Sequence, residues 1–329
     1  MAGSADDHSL WLKINGVVTR VVRFGFKEEI RALRSPIVLM ISGNPGEVAY
    51  YSDLLYEVHC KTGLPVLGVS HAGHNVPPKG HSLPAIADNE DLYSLNGQIF
   101  HKKCFIEEYI SRESKLVLIG HSIGCYIVLE LLNRYDSIRS QVLHSILIFP
   151  TIESMGDTSE ALKYKFLFGW FKYPLLGLSY ILDQLRDDYK QKLVAFMLRM
   201  GGEKDVPQCV LTSATNLLHP NCLRALIHMS LIEFKTVNQL NREAIERNEQ
   251  KLTFLYGDCD QWCPLEYYRR IHLLYPNCDI RLCLKHMNHA FVMNRESTSK
   301  VERHAPAKAY WARAQGMPSV FETCPPAQF

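Results

Sequence analysis

The chain has 329 residues, enough for one large α/β domain with a substantial buried core. Hydrophobic residues make up 47%, charged residues 21%, and mean hydropathy is −0.10, values of a globular chain on the apolar side. A balance of 36 Lys+Arg against 34 Asp+Glu, a net charge of +2, offers nucleic acid no electrostatic handle, so no nucleic-acid partner is expected.

The opening MAGSADDHSL is polar and acidic, without the apolar stretch of a secretory signal. The 10 cysteines are therefore expected as reduced, mostly buried thiols of a chain exposed to the cytosol. Residues 9–26 alternate around Asn15-Gly16, a hairpin signal. PIVLMI (36–41) is a continuous apolar run, as expected of a strand buried on both faces. YYSDLLYEVHCKTG then reads as a helix stopped at Gly63. LPVLGVS (64–70) is the next strand, followed by the polar loop HAGHNVPPKGHSLP and the helix LNGQIFHKKCFIEEYI. KLVLIG (115–120) is a strand, and IGCYIVLELLNRY the apolar helix after it. VLHSILIFPTI (142–152), KLTFLYG (251–257) and DIRLCL (279–284) are further strands, with the helix PLEYYRRIHLLYP between the last two. Strands alternating with helices predict one α/β domain over 1–329, with a mostly parallel sheet and helices on both faces.

Between residues 153 and 250 the alternation stops, and the composition predicts an inserted helical lid. Its most apolar part, residues 166–182, is interrupted by Lys172 and Pro174. A spanning helix needs about 20 apolar residues, so this stretch fits an interfacial helix, a re-entrant hairpin or a lid packed on the core, that is, membrane-surface contact or plain lid packing. Periodicity leaves both open.

The chemistry centres on Gly-His-Ser-Ile-Gly, residues 120–124. G-x-S-x-G arises by chance in about one chain in ten of this length. A strand directly before it and an apolar helix directly after are the setting of a nucleophile elbow. Side chains at Gly120 and Gly124 would collide with the neighbouring helix and strand, and the helix start beyond Ser122 aims free N–H groups at a developing oxyanion. Serine needs a base and the base an acid, in the chain order Ser, Asp or Glu, His. LTFLYGDCDQWCP offers Asp258 and Asp260; Asp260 is preferred because the acid must reach back over the sheet edge, whereas Asp258 suits a turn. RLCLKHMNHAF offers His286 and His289; His289 clears the strand end and is followed by Ala290 and Phe291 that can fix it. His71, His74 and His81 carry no partner pattern; two of them, near the sheet's carboxyl edge, could line the site, but a surface loop is the expectation. Oxyanion donors are expected from the amides of Ile123 and, in SGNPG (42–46), Asn44. A phosphate loop is excluded there because no Gly-Lys-Ser/Thr follows, and a dinucleotide fold because no G-x-G-x-x-G occurs at a strand-to-helix turn. Cys259 and Cys263 have no matching second pair and no histidines nearby in sequence, so no metal site is expected. Neither a metal nor an organic cofactor is needed.

With these residues in place the chain resembles the lipid droplet-associated hydrolases, a family of α/β-hydrolases. The resemblance rests on SGNPG, SHAGH, LNGQIFHK, KLVLIGHSIG, LIFPTIE, KLTFLYGDCDQWCP and DIRLC…HAF, and covers residues 9–292. It implies a nucleophile at Ser122, an acid at Asp260 and a base at His289, acting on lipid esters, cholesterol esters among them. It implies the cytosolic face of lipid droplets and endoplasmic reticulum as the location, with residues 166–182 as the anchoring part. The rival expectation is a hydrolase-fold protein that coats or remodels these membranes with little turnover. Residues 293–329 depart from the family's helical tail, being polar, proline-punctuated and without a clear amphipathic pattern, so the fold's final helix is expected to be missing or replaced and the tail atypical and poorly ordered.

Overall fold

The computed structural model describes residues 8–203, 205–284 and 286–304. β1 (Ser9–Ile14) and β2 (Val17–Phe24) form the expected hairpin, with Asn15 and Gly16 at φ of 46° and 81°. β3 (Ile37–Ile41), α1 (Ser52–Thr62), β4 (Val66–Val69), α2 (Glu90–Tyr93), α3 (Leu95–Tyr109) and β5 (Leu116–His121) follow. α4 (Ile123–Arg134), α5 (Asp136–Gln141) and β6 (Val142–Ile148) come next. α6 (Ser159–Trp170), α7 (Lys172–Asp183), α8 (Asp187–Met200), α9 (Gln208–Asn216), α10 (Pro220–Thr236) and α11 (Arg242–Glu246) fill the chain before β7 (Leu252–Gly257). Then come α12 (Leu265–Leu274), β8 (Asp279–Cys283) and α13 (Arg295–His304).

The strands form one sheet in the order β1-β2-β4-β3-β5-β6-β7-β8. β2 runs antiparallel to both its neighbours, and every other pair is parallel. All residues of β3, β5 and β7 are buried, which is why each reads as an uninterrupted apolar run. The connection from β3 through α1 to β4 steps toward the β1 edge, whereas β5 through α4 to β6 steps toward the β8 edge. Right-handed crossovers that step in opposite directions put their helices on opposite faces. The reversal lies between β3 and β5, and the carboxyl ends of strands at such a switch point are where α/β sheets generally place their sites. Ile41 pairs with Gly120 there, so the loops after β3 and β5 leave the sheet side by side.

Residues 166–182 are not one helix: the chain breaks at Phe171, between α6 and α7. Among the described residues no helix is long and apolar enough to cross a membrane. Exposed large apolar side chains concentrate here, with Trp170 77% and Tyr173 79% exposed, and continue onto α8 through Phe196, Met197 and Met200. None of the nine cysteines among the described residues forms a disulfide.

In the first part of the 293–329 tail the expectation of poor order needs correction, because a polar helix stands where the final helix was expected to be missing or replaced. Residues 295–304 form α13, which packs against α1 and β8. Ser299 Oγ donates to Glu57 Oε1 at 3.4 Å, Arg295 lies 3.6 Å from Asp53, and Thr298 is buried. The helix escapes a hydrophobic-pattern reading because RESTSKVERH carries one large apolar residue. The rest of that expectation, residues 305–329, lies outside the described residues.

Candidate active site

Ser122 stands between β5 and α4 at φ 54° and ψ −125°, a conformation side chains rarely adopt. Its N–H donates to Ile148 O at 3.1 Å and its carbonyl accepts from Thr151 N at 3.4 Å, so the end of β6 and the backbone just beyond it clamp the turn on both sides. A Cβ at Gly120 would lie 2.9 Å from the Cys125 backbone, and one at Gly124 2.6 Å from Ser42 O. The glycines let α4 sit directly against β5 and the end of β3.

The structure brings the three preferred residues into one hydrogen-bonded chain. Ser122 Oγ lies 2.8 Å from His289 Nε2, and His289 Nδ1 lies 2.6 Å from Asp260 Oδ2. A carboxylate only accepts, so Nδ1 carries the proton and Nε2 is left to accept from the Ser122 hydroxyl. Ser122 and Asp260 are buried, and the His289 ring is 15% exposed. Asp260 Oδ1 accepts the amides of Trp262 at 2.8 Å and Cys263 at 3.2 Å, and Cys263 Sγ donates to Oδ2 at 3.0 Å. Burial alone raises the Asp260 pKa, but the charge and hydrogen bond of His289, with the Cys263 and Trp262 donors, outweigh it and hold the carboxyl below its usual value. The His289 ring is set among Trp262, Phe149 and His121.

The two alternatives pair with each other instead. Asp258 accepts the His286 N–H at 3.0 Å, its Oδ2 lies 2.9 Å from His286 Nδ1, and Cys259 Sγ is 3.3 Å from the same nitrogen. The structure thus puts a histidine beside Cys259 that sequence spacing did not reveal. Among the described residues two clusters each hold their donor atoms within 4.8 Å, Asp258–Cys259–His286 toward the surface and Asp260–Cys263–His289 in the site. The second is already consumed by the hydrogen bonds just described.

The expected oxyanion donors, the Asn44 and Ile123 amides, have no acceptor among the described residues. Gly43 abuts the serine: a Cβ there would be 3.0 Å from Ser122 Cβ. His74 Nδ1 accepts the Gly46 N–H at 3.0 Å, and the His71 N–H donates to Gly46 O at 2.8 Å. The surface-loop expectation therefore fails for His71 and His74, both buried behind SGNPG, and holds for exposed His81. Burial, with buried Lys102 nearby, pushes the His74 pKa down to about 3 and His71 well below its ordinary value. Sequence reading also missed Tyr51 and His121, although His121 stands next to the serine. Tyr51 Oη accepts from Gly43 N at 3.1 Å and lies 2.7 Å from His121 Nδ1, while His121 Nε2 lies 3.0 Å from His289 O.

A serine elbow at the end of β5, an acid after β7 and a histidine after β8 on this sheet define an α/β-hydrolase. Solved structures agree on the fold. An epoxide hydrolase of Bacillus megaterium superposes with a TM-score of 0.61 at 14% identity, over 90% of this chain and 98% of that one. A thermophilic esterase from Thermogutta terrifontis superposes with a TM-score of 0.56 at 13% identity, over 93% and 98%.

Sequence relatives narrow the class. Residues 34–292 match the family model of the lipid-droplet associated hydrolases. A lipid droplet-associated hydrolase of Gallus gallus is 37% identical over 297 residues, 87% of this chain and 90% of that protein. One of Homo sapiens is 34% identical over 300 residues, again 87% and 90%. The chain belongs to the lipid droplet-associated hydrolase family.

Proposed function

We propose that the chain is a serine hydrolase of lipid esters working at the lipid-droplet surface. The observation that carries this is the unbroken hydrogen-bonded chain Ser122 Oγ, His289, Asp260. Ser122 Oγ bonds to the ester carbonyl carbon while its proton passes to His289 Nε2. Asp260 stays ionised and stabilises the imidazolium. The carbonyl oxygen becomes an oxyanion facing the Asn44 and Ile123 amides, where losing one such donor typically costs about 3 kcal/mol. His289 then protonates the departing alcohol oxygen, leaving an acyl-Ser122. Water attacks that acyl group with His289 as base, releasing the fatty acid and restoring the hydroxyl.

The droplet assignment draws on the relatives' names and on the exposed apolar side chains of α6, α7 and α8. In this reading 153–250 is a lid on a single domain, its apolar face resting on droplets and on the cytosolic face of the endoplasmic reticulum. Cholesterol esters are the substrate class we favour. The test is fatty-acid release from emulsified cholesteryl oleate, triolein and a short soluble ester by wild type and Ser122→Ala. Release by wild type that disappears in Ser122→Ala supports the reading; equal release by both sinks it.

The exposed face also favours a second reading, a hydrolase-fold coat that occupies droplets with little turnover. Droplet remodelling in cells that persists undiminished in Ser122→Ala supports the coat.

A further inference from the structure

One side chain of the loop after β3 is gripped by one helix of the insert. Asn44 Nδ2 lies 2.9 Å from Ser230 Oγ, 3.1 Å from Glu233 Oε1 and 3.3 Å from Leu226 O, all on α10, so its two protons are shared among three acceptors. A backbone carbonyl can only accept, which fixes the amide with its nitrogen toward α10. Among the described residues the Asn44 N–H has no acceptor, so the side chain is the residue's polar tether. The neighbouring residues are held from elsewhere: Gly43 N by Tyr51, Gly46 N by His74, and Gly46 O by Ser42 Oγ.

Glu233 is an unusual residue to find at such a place. It is 1% exposed, and a buried carboxyl is costly unless its partners repay the lost water. Burial pushes its pKa up to about 8, opposed only by the Asn44 hydrogen bond. Near neutral pH it is therefore mainly the uncharged acid, an acceptor that adds no negative charge beside a site where negative charge must develop. The same helix reaches the acid loop, since Phe234 stacks on Trp262 at 6.1 Å and 12°, and the Trp262 amide holds Asp260. α10 also packs against α6 and α7, the helices that carry the exposed apolar face.

We propose that Glu233, assisted by Ser230, is a positioning residue that holds Asn44 with its backbone N–H toward the Ser122 oxyanion, so that the oxyanion hole is complete only when α10 is seated on the sheet. This rests on the reading of Ser122 as nucleophile. It makes the insert a working part of the site as well as its cover. Misplacing a catalytic group by 1 Å can cost on the order of 100-fold in rate.

The test uses the full chain as wild type, Glu233→Ala, Glu233→Gln and Ser230→Ala, with p-nitrophenyl butyrate as soluble substrate. Amide hydrogen exchange over residues 42–48 is followed in parallel. In Glu233→Ala we expect kcat to fall about 10- to 100-fold with KM within about twofold, and exchange in 42–48 to quicken. Glu233→Gln keeps size and neutrality and should restore both. Folded Glu233→Ala with wild-type kcat and wild-type exchange overturns the proposal, as does a loss that Glu233→Gln fails to rescue. Should Glu233→Ala not fold, Ser230→Ala decides: faster exchange at 42–48 supports the tether, and unchanged exchange overturns it. Should wild type show no turnover, the nucleophile reading fails, while exchange still judges the tether by itself.

Discussion

His121 Nε2–H donates to the carbonyl of His289 at 3.0 Å, so the residue before Ser122 holds the backbone of a residue 168 positions further on. The carbonyl only accepts, which assigns the proton to Nε2 and leaves Nδ1 to accept from the Tyr51 hydroxyl at 2.7 Å. Burial, reinforced by neighbouring His289, holds the His121 pKa at about 3, so the ring stays neutral and this direction persists across the working range. Gly43, Tyr51, His121 and His289 thus form one relay joining the β3 loop to the histidine loop.

Breaking that relay should cost both stability and rate. Tyr51→Phe keeps the ring but leaves the Gly43 N–H and His121 Nδ1 buried without partners. We expect about 2 kcal/mol less stability in denaturant unfolding, and a fall in kcat larger than any rise in KM. Wild-type stability in Tyr51→Phe contradicts the relay.

Glycines in the chain should separate sharply by what surrounds them. Gly124→Ala should destabilise by about 3 kcal/mol, because its methyl would meet the Ser42 carbonyl at 2.6 Å, and backbone gives way poorly. Gly169→Ala and Gly177→Ala, inside α6 and α7 with nothing near the added methyl, should gain about 0.5–1 kcal/mol from helix propensity. Thermal melts of the three variants check the contrast.

Glu233 makes a pH-dependent prediction with a definite sign. Its proton leaves near pH 8 in the folded chain, against a value of 4.5 for the free side chain. Between those values the folded state keeps a proton the unfolded state has lost, so stability declines as pH rises through the window and levels off above it. Burial and Asn44 are the influences on this carboxyl; no charged group of α6, α7 or the 71–75 loop acts on it among the described residues. Above about pH 8 the new carboxylate also opposes the oxyanion, so kcat should fall there. Glu233→Gln should flatten both profiles, and identical slopes in wild type and Glu233→Gln would refute the assignment.

The apolar face should govern location and leave the chemistry alone. Serine at Phe166, Trp170, Tyr173 and Ile181, all more than half exposed, removes apolar surface without touching the site. Partition onto phospholipid-coated triolein droplets should drop at least about tenfold, while turnover of a soluble ester stays level. Unchanged flotation with droplets contradicts this role.

Much of this molecule is legible in its sequence because the signals are local. Buried strands announce themselves as apolar runs, and the elbow by glycines two residues either side of Ser122. Asp260 and His289 follow from chain order and loop position. What was not legible depends on partners far away along the chain. Glu233 looks like one more charged residue of an amphipathic helix until the fold sets it against Asn44, 189 positions earlier. His71 and His74 sit in a polar, glycine- and proline-rich stretch that reads as surface, yet the Gly46 backbone needs them behind it. α13 has too few apolar residues to show a stripe and forms by docking on α1.

The most direct test of the account is covalent labelling with a fluorophosphonate, mapped by peptide mass spectrometry on folded protein. The account predicts phosphonylation of wild type on the 122 hydroxyl alone, none in Ser122→Ala, and labelling slowed by about 10⁴ in Asp260→Asn, where the wrong imidazole nitrogen carries the proton. A folded wild type that takes no label, or takes it on another residue, would contradict it.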